Sequence, residues 1–255
     1  MSDTALGPGP GSVDLAALAQ EVRRQLAAIE HATEVMLGTV ESFDDLSVGQ
    51  PSLLDGWSRA HVITHLARNA DGCTNLLIWA RTGIEHPMYS SGDDRDEAID
   101  EGAVHSHRLL VEDLAAASQR FATSARALPT QAWTAELYDA IGDPMPAHHT
   151  LRARLLEVWV HTVDLDHDID FASIPPAHSE QLLEDVTQSF GGRPDVPALS
   201  LEVDFGTHRR TWELRGTTER PSKVSGEPGP MLGWLLGRTG PEELTGDPPE
   251  LPEWP

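Results

Sequence analysis

The sequence predicts an α+β protein in which a four-helix bundle precedes a small α+β domain. Up to residue 170, apolar residues recur every three or four positions in four long stretches, which is the pattern of amphipathic helices around a shared core. Beyond Phe171 the pattern changes to one helical stretch and two short runs in which apolar and polar residues alternate, as in strands. We therefore expect a disordered Gly/Pro-rich tail over residues 1–11, a bundle over 12–170 and a second domain over 171–255.

Local signals place the ends of the bundle helices. Ser58 is a suitable N-cap for the second helix and Gly83 a suitable stop, while Pro129 ends the third helix. The four helices are predicted over residues 13–40, 58–82, 95–128 and 147–166.

The second domain combines helical and strand patterns. A helix is predicted over residues 177–190, and a second, short helix over about 231–236. Between them, residues 199–205 and 210–215 alternate apolar and polar side chains on either side of Gly206, which predicts a β-hairpin. A proline-rich tail follows.

Composition and charge limit the classes of partner. The chain has 255 residues and a formal net charge of −23, which disfavours contact with phosphate backbones and anionic lipid. We therefore expect neither nucleic acid nor membrane as a partner, whereas a small anionic substrate remains compatible because local arginines can reverse the field inside one cleft. Cys73 is the lone cysteine, so a disulfide framework and a cysteine-rich zinc motif are excluded. The sequence shows no secretory signal, which predicts a cytoplasmic protein; its oligomeric state is left open, with a monomer favoured.

Candidate metal ligands lie on two of the predicted helices. Glu157 and His161 are four residues apart on the fourth helix, so their side chains share one face about 5–6 Å apart. The second helix offers His61 and His65, which are also four residues apart. Two imidazoles with one carboxylate form a set that leaves an open position on a catalytic zinc ion, and the same set suits iron, nickel or manganese.

The setting of this pair distinguishes it from a surface pair. Glu157 and His161 alternate with apolar residues, so the fourth helix should be buried, and buried polar groups need partners. A metal ion is one such partner, and a direct carboxylate–imidazole hydrogen bond is the other. Asp164 lies three residues beyond His161, where it either orients a ligand imidazole or belongs to an exposed acidic run.

Two segments resemble a known family. Residues 56–71, which read Gly-Trp-Ser-Arg-Ala-His-Val-Ile-Thr-His-Leu-Ala-Arg-Asn-Ala-Asp, look like a signature of the mycothiol-dependent maleylpyruvate isomerases, as does the segment 157–165. These enzymes belong to the DinB-like superfamily of metal-dependent thiol transferases. The resemblance extends over about residues 13–238 and implies a DinB-like four-helix bundle with a small C-terminal α+β domain.

The resemblance also implies a site and a reaction. The histidine that precedes Leu-Ala maps to His65, which with Glu157 and His161 would hold a divalent metal, zinc being the first expectation. Arg95 and Arg238 resemble two family arginines that face the substrate. The implied reaction is the cis–trans isomerisation of maleylpyruvate to fumarylpyruvate, with mycothiol as the thiol cosubstrate.

Three alternatives stay open at this level. A mycothiol S-transferase would use the same metal and thiol but release the conjugate of another electrophile. A hydrolase would use metal-bound water as its nucleophile. A non-catalytic bundle would use the polar cluster for structure or for binding a metal or ligand.

Overall fold

The computed structural model describes residues 14–191, 193–218 and 220–254. The predicted tail over residues 1–11 lies outside these ranges. The helices are α1 (Leu15–Glu41), α2 (Arg59–Thr82), α3 (Gly92–Ala103), α4 (His107–Ala127), α5 (His149–Asp164), α6 (Pro176–Phe190) and α7 (Pro228–Leu235). The strands are β1 (Glu136–Tyr138), β2 (Pro144–Pro146), β3 (Leu199–Asp204), β4 (Arg209–Leu214), β5 (Ser222–Gly226) and β6 (Thr245–Gly246). In the described ranges, we find no helix whose length and apolar character would let it cross a membrane.

Helices α1, α2, α4 and α5 form the predicted four-helix bundle. Together with the strands that follow it, the bundle confirms the predicted α+β fold class. Each of α1 and α2 packs against both α4 and α5. The bundle core is apolar, and its fully buried side chains include Met36, Ile63, Leu66, Leu114, Leu155 and Trp159. Helix α2 begins after Ser58 and ends at Gly83, as predicted, with Gly83 in the left-handed conformation at φ 69°.

The prediction of one helix over residues 95–128 is wrong. The structure has two helices there, because α3 ends at Ala103 and α4 begins only at His107. The backbone N–H of His107 donates to Asp45 Oδ1 over 2.7 Å, and its Nε2 lies 2.8 Å from the Val40 carbonyl oxygen. These contacts fix the start of α4 against the end of α1, and α3 folds back onto α2 instead of extending the bundle.

The lack of a side chain at Gly102 allows α3 to pack closely on α2. A Cβ atom at Gly102 would lie 2.4 Å from Cγ2 of the buried, β-branched Thr64. We therefore expect Gly102→Ala to lower the free energy of unfolding by about 1–3 kcal/mol, since overpacking outweighs the gain in helix propensity. Urea denaturation provides the measurement, with Gly38→Ala as the control. Because nothing lies within 4 Å of a Cβ at Gly38, that variant should be more stable by about 0.5–1 kcal/mol. A stabilised Gly102→Ala protein would contradict this account of the α2–α3 contact.

A four-stranded sheet forms the centre of the C-terminal part, residues 171–254. Its strand order is β4-β3-β5-β6, and the predicted hairpin is confirmed as the antiparallel pair β3–β4, with Leu199 opposite Leu214. The parallel pairing of β3 with β5 was not predicted. Helices α6 and α7 pack against each other and against this sheet.

A second hairpin lies where prolines predict a loop. Pro144 and Pro146 predict a loop before the fourth helix, but β1 and β2 pair antiparallel there, with Tyr138 opposite Pro144. The two prolines of β2 are tolerated because the sheet has only two strands, so each strand has an open edge. Helix α5 then begins at His149, two residues later than predicted.

Candidate metal centre

Helices α2 and α5 bring the three predicted ligands together. His65 Nε2 lies 2.8 Å from Glu157 Oε2, and His161 Nε2 lies 3.4 Å from the same oxygen. The donor atoms of the three side chains all lie within 4.8 Å of one another. Helical spacing explains the pair on α5, where a four-residue step places both side chains on the face that meets α2.

The cluster opens toward solvent on one side. The side chain of His65 is 4% exposed and that of His161 15%, whereas that of Glu157 is 31% exposed. The imidazoles are thus fixed in the protein interior, and a ligand can approach from the side of Glu157.

Asp164 holds His161 in one orientation. Its Oδ2 lies 2.9 Å from His161 Nδ1, and Asp164 itself is fully buried. A carboxylate at Nδ1 keeps a proton on Nδ1, so Nε2, which faces Glu157, is the nitrogen that can bind a metal once its own proton is displaced. Of the two interpretations of Asp164, the structure therefore favours the orienting one over the exposed acidic run.

Burial and hydrogen bonding shift the pKa values of His65, Glu157 and His161. Burial is the main influence on His65 and lowers its pKa, so this imidazole is neutral at pH 7. Burial alone would raise the pKa of Glu157, but hydrogen bonds with His161 and His65 outweigh it and hold this pKa well below its ordinary value. Burial alone would lower the pKa of His161, but hydrogen bonds to Asp164 and Glu157 raise it to about 9.

The donor set fits a divalent metal ion. It offers one carboxylate oxygen and two imidazole nitrogens in mutual reach, with an open side for a further ligand. This composition matches catalytic zinc sites and does not by itself select zinc over related metals.

Arg95 lies next to His65, one of the three donors. Its Nη2 is 3.2 Å from His65 Nδ1, and its guanidinium lies 6.0 Å from the ring of Trp57 and 5.9 Å from that of Tyr89. A cavity of about 370 Å³ extends from Arg95 and Tyr89 along α2 and is also lined by Arg68, Asn75, His86 and Met88.

Sequence reasoning missed both aromatic residues. The ring of Trp57 lies 5.6 Å from that of His65, and Trp57 is part of the motif over residues 56–71, so its position in the motif was an available signal. Tyr89 is in the polar loop after α2, where no pattern distinguished it. Burial raises the pKa of Tyr89 to about 12, so its hydroxyl group stays protonated and able to donate a hydrogen bond.

Arg238 contacts the partner of a candidate ligand. It donates to Asp164 through Nε and Nη2, at 2.9 and 3.1 Å.

His61 and Cys73 lie outside the cluster. The Nδ1 of His61 accepts from the backbone N–H of Ser58 at the start of α2. Cys73 is buried, and burial raises the pKa of its thiol to about 12, which fits the expected packing role.

Together, the fold and the cluster define a class: a helical-bundle protein with a two-histidine, one-carboxylate candidate metal centre and a C-terminal α+β part. A family model described as the mycothiol maleylpyruvate isomerase N-terminal domain matches residues 29–166. The chain belongs to the mycothiol maleylpyruvate isomerase family.

Solved structures agree with this family. The chain is similar to the crystal structure of the mycothiol-dependent maleylpyruvate isomerase and to that of its histidine-to-alanine mutant. In each case the identity is 30%, the TM-score is 0.81, and the alignment covers 91% of this chain and 97% of the solved one. A comparison with curated proteins finds no match.

Proposed function

We propose that this chain catalyses the mycothiol-dependent cis–trans isomerisation of maleylpyruvate to fumarylpyruvate at a divalent metal held by His65, Glu157 and His161. The observation that carries the proposal is the convergence of these three donors at an open site beside Arg95 and its cavity. Family membership and the similar solved isomerase support the choice of reaction.

The donor set explains why a thiol would react here. A free thiol has a pKa of about 8.5 and is mostly protonated at neutral pH. A divalent cation supplies, when bound, the charge that deprotonates a coordinated thiol outright. His65 and His161 would present their Nε2 atoms to such a cation, and Glu157 would add the one negative charge.

The isomerisation needs a nucleophile and a place for negative charge. The thiolate adds to one carbon of the cis double bond, so that a C–S bond forms and the π electrons move into the adjoining carbonyl as an enolate. Rotation about the resulting single bond follows. The enolate electrons then restore the double bond and expel the thiolate, which leaves the trans product and regenerates the thiol.

Arg95 is placed to bind the anionic substrate. Its guanidinium borders both the donor cluster and the cavity, and its Nη1 pairs with Oδ1 of the exposed Asp96 over 2.7 Å. A substrate carboxylate that displaced Asp96 could form charge-assisted hydrogen bonds with this guanidinium. The same charge would stabilise the developing enolate. The rings of Trp57 and Tyr89, at 6.0 and 5.9 Å from the Arg95 guanidinium, would attract this cation and limit its movement.

A turnover assay tests the proposed reaction. We expect metal-loaded protein to convert maleylpyruvate, followed by absorbance, only when mycothiol is supplied, with mycothiol unchanged at the end. Equal turnover without mycothiol would contradict the proposal and favour hydrolytic chemistry. Consumption of mycothiol with release of a thioether would identify the protein as an S-transferase.

A further inference from the structure

Arg238 is held rigidly at the junction between the bundle and the C-terminal part. It follows α7 and the left-handed Gly237, and its backbone N–H donates to the Gly233 carbonyl oxygen over 2.8 Å. Its Nη1 donates to the Leu236 carbonyl oxygen over 2.8 Å, and its Nε and Nη2 donate side-on to the two oxygens of Asp164. All three guanidinium nitrogens therefore already donate to protein oxygens.

Asp164 transmits this contact to the donor cluster. One carboxylate oxygen, Oδ2, lies within 3.1 Å of Arg238 Nη2 and 2.9 Å of His161 Nδ1. Asp164 is fully buried, so its charge needs a compensating partner, and Arg238 supplies a bidentate one. Without Arg238, the buried carboxylate would lose two of its three side-chain hydrogen bonds, and its orientation toward the imidazole would be less fixed.

We infer that Arg238 is a positioning residue that acts through Asp164 to fix the His161 imidazole for metal binding, so that the C-terminal part completes the metal centre. This inference rests on the proposed function only in requiring that the cluster binds a divalent metal. It assigns Arg238 a role different from the substrate contact that the sequence suggested. The side chain is 15% exposed, and its side-on edge is occupied by Asp164, which leaves that edge unable to bind a substrate carboxylate.

A double-mutant cycle on metal affinity tests the inference. The variants are Arg238→Met, Asp164→Asn and the two combined, and zinc affinity is measured by competition with a chromophoric chelator. A direct partner of a metal ligand typically contributes 10–100-fold to affinity, and Arg238 acts one contact further out, so we expect Arg238→Met to weaken zinc binding by about 10-fold, the lower end of that range. Because Arg238 acts through Asp164, the combined variant should bind zinc within about twofold of Asp164→Asn alone. Additive losses would overturn the inference.

Two further variants separate positioning from a loss of folding. Arg238→Lys keeps the charge but not the bidentate contact, so its zinc affinity should lie between those of the wild type and Arg238→Met. Arg210→Met is the matched control, because Arg210 joins β4 to Glu180 and Glu184 of α6 without contacting the cluster. Its zinc affinity should be that of the wild type even if its unfolding midpoint falls. A parallel loss of zinc affinity in Arg210→Met would overturn the inference.

The readouts also distinguish this inference from the proposed function. If the wild type binds no divalent metal, both the proposed function and the inference fail. If the wild type binds zinc and Arg238→Met binds it equally well, the inference alone fails. An Arg238→Met protein with unchanged zinc affinity and a raised KM for maleylpyruvate would assign Arg238 to the substrate and would likewise overturn it.

Discussion

His65→Ala is expected to lose both bound metal and isomerase activity. His65 is the only candidate ligand from α2, and its removal leaves two donors from a single helix. Since the partners of metal ligands alone contribute 10–100-fold, removal of a ligand should weaken zinc binding by more than about 100-fold. Metal analysis of the purified variant, together with the turnover assay, provides the measurement.

The matched control for this change is His61→Ala. His61 lies one turn earlier on the same helix and pairs with Ser58 at the helix start. The control should lose about 1 kcal/mol of stability with its cap, while its metal content stays at the wild-type level. Equal metal content in His65→Ala and the wild type would refute the assignment of His65 as a ligand.

Zinc affinity is expected to rise about tenfold per pH unit between about pH 7 and pH 9. The pKa of His161 is raised to about 9 by Asp164 and Glu157 against the effect of burial, so the metal must displace one proton from this imidazole below that pH. His65 and Glu157 add no further proton, because the pKa of His65 is lowered and that of Glu157 lies well below its ordinary value. Above pH 9 the affinity should level off.

Calorimetry in buffers of different ionisation enthalpy measures the protons released. About one proton per zinc is expected at pH 7.5, and fewer as the pH approaches 9. In Asp164→Asn, one of the two carboxylates that raise the pKa of His161 is neutral, so the bend in the pH profile should move to lower pH. A profile that is flat from pH 7 to 9 would contradict this charge assignment.

Much of the fold is encoded in local patterns. The 3.6-residue periodicity and the signals at Ser58 and Gly83 predict α2 to within a residue or two. The break between α3 and α4 was missed because it depends on contacts of His107 with Asp45 and Val40, which lie far away in the sequence. The pairing of β3 with β5 is parallel and nonlocal, so no run of neighbouring residues reports it.

The candidate site was likewise predictable where it depends on local sequence patterns and not where it depends on contacts between distant residues. The pair Glu157 and His161 follows from helical spacing together with the apolar residues around it, while the choice of His65 over His61 came from the family resemblance. Arg238 was recognised as a candidate residue, but its contact with Asp164 depends on how the C-terminal part packs on the bundle. Residue type and local spacing carry no information about that packing.

X-ray absorption at the zinc edge tests the metal centre most directly. For the zinc-loaded protein, we expect two imidazole nitrogens and one carboxylate oxygen at about 2.0–2.2 Å, and on addition of mycothiol one sulfur at about 2.3 Å. The imidazole count should fall in His65→Ala and stay at two in His61→Ala. A first coordination shell with fewer than two imidazoles, or one that gains no sulfur from mycothiol, would contradict thiol activation at this site.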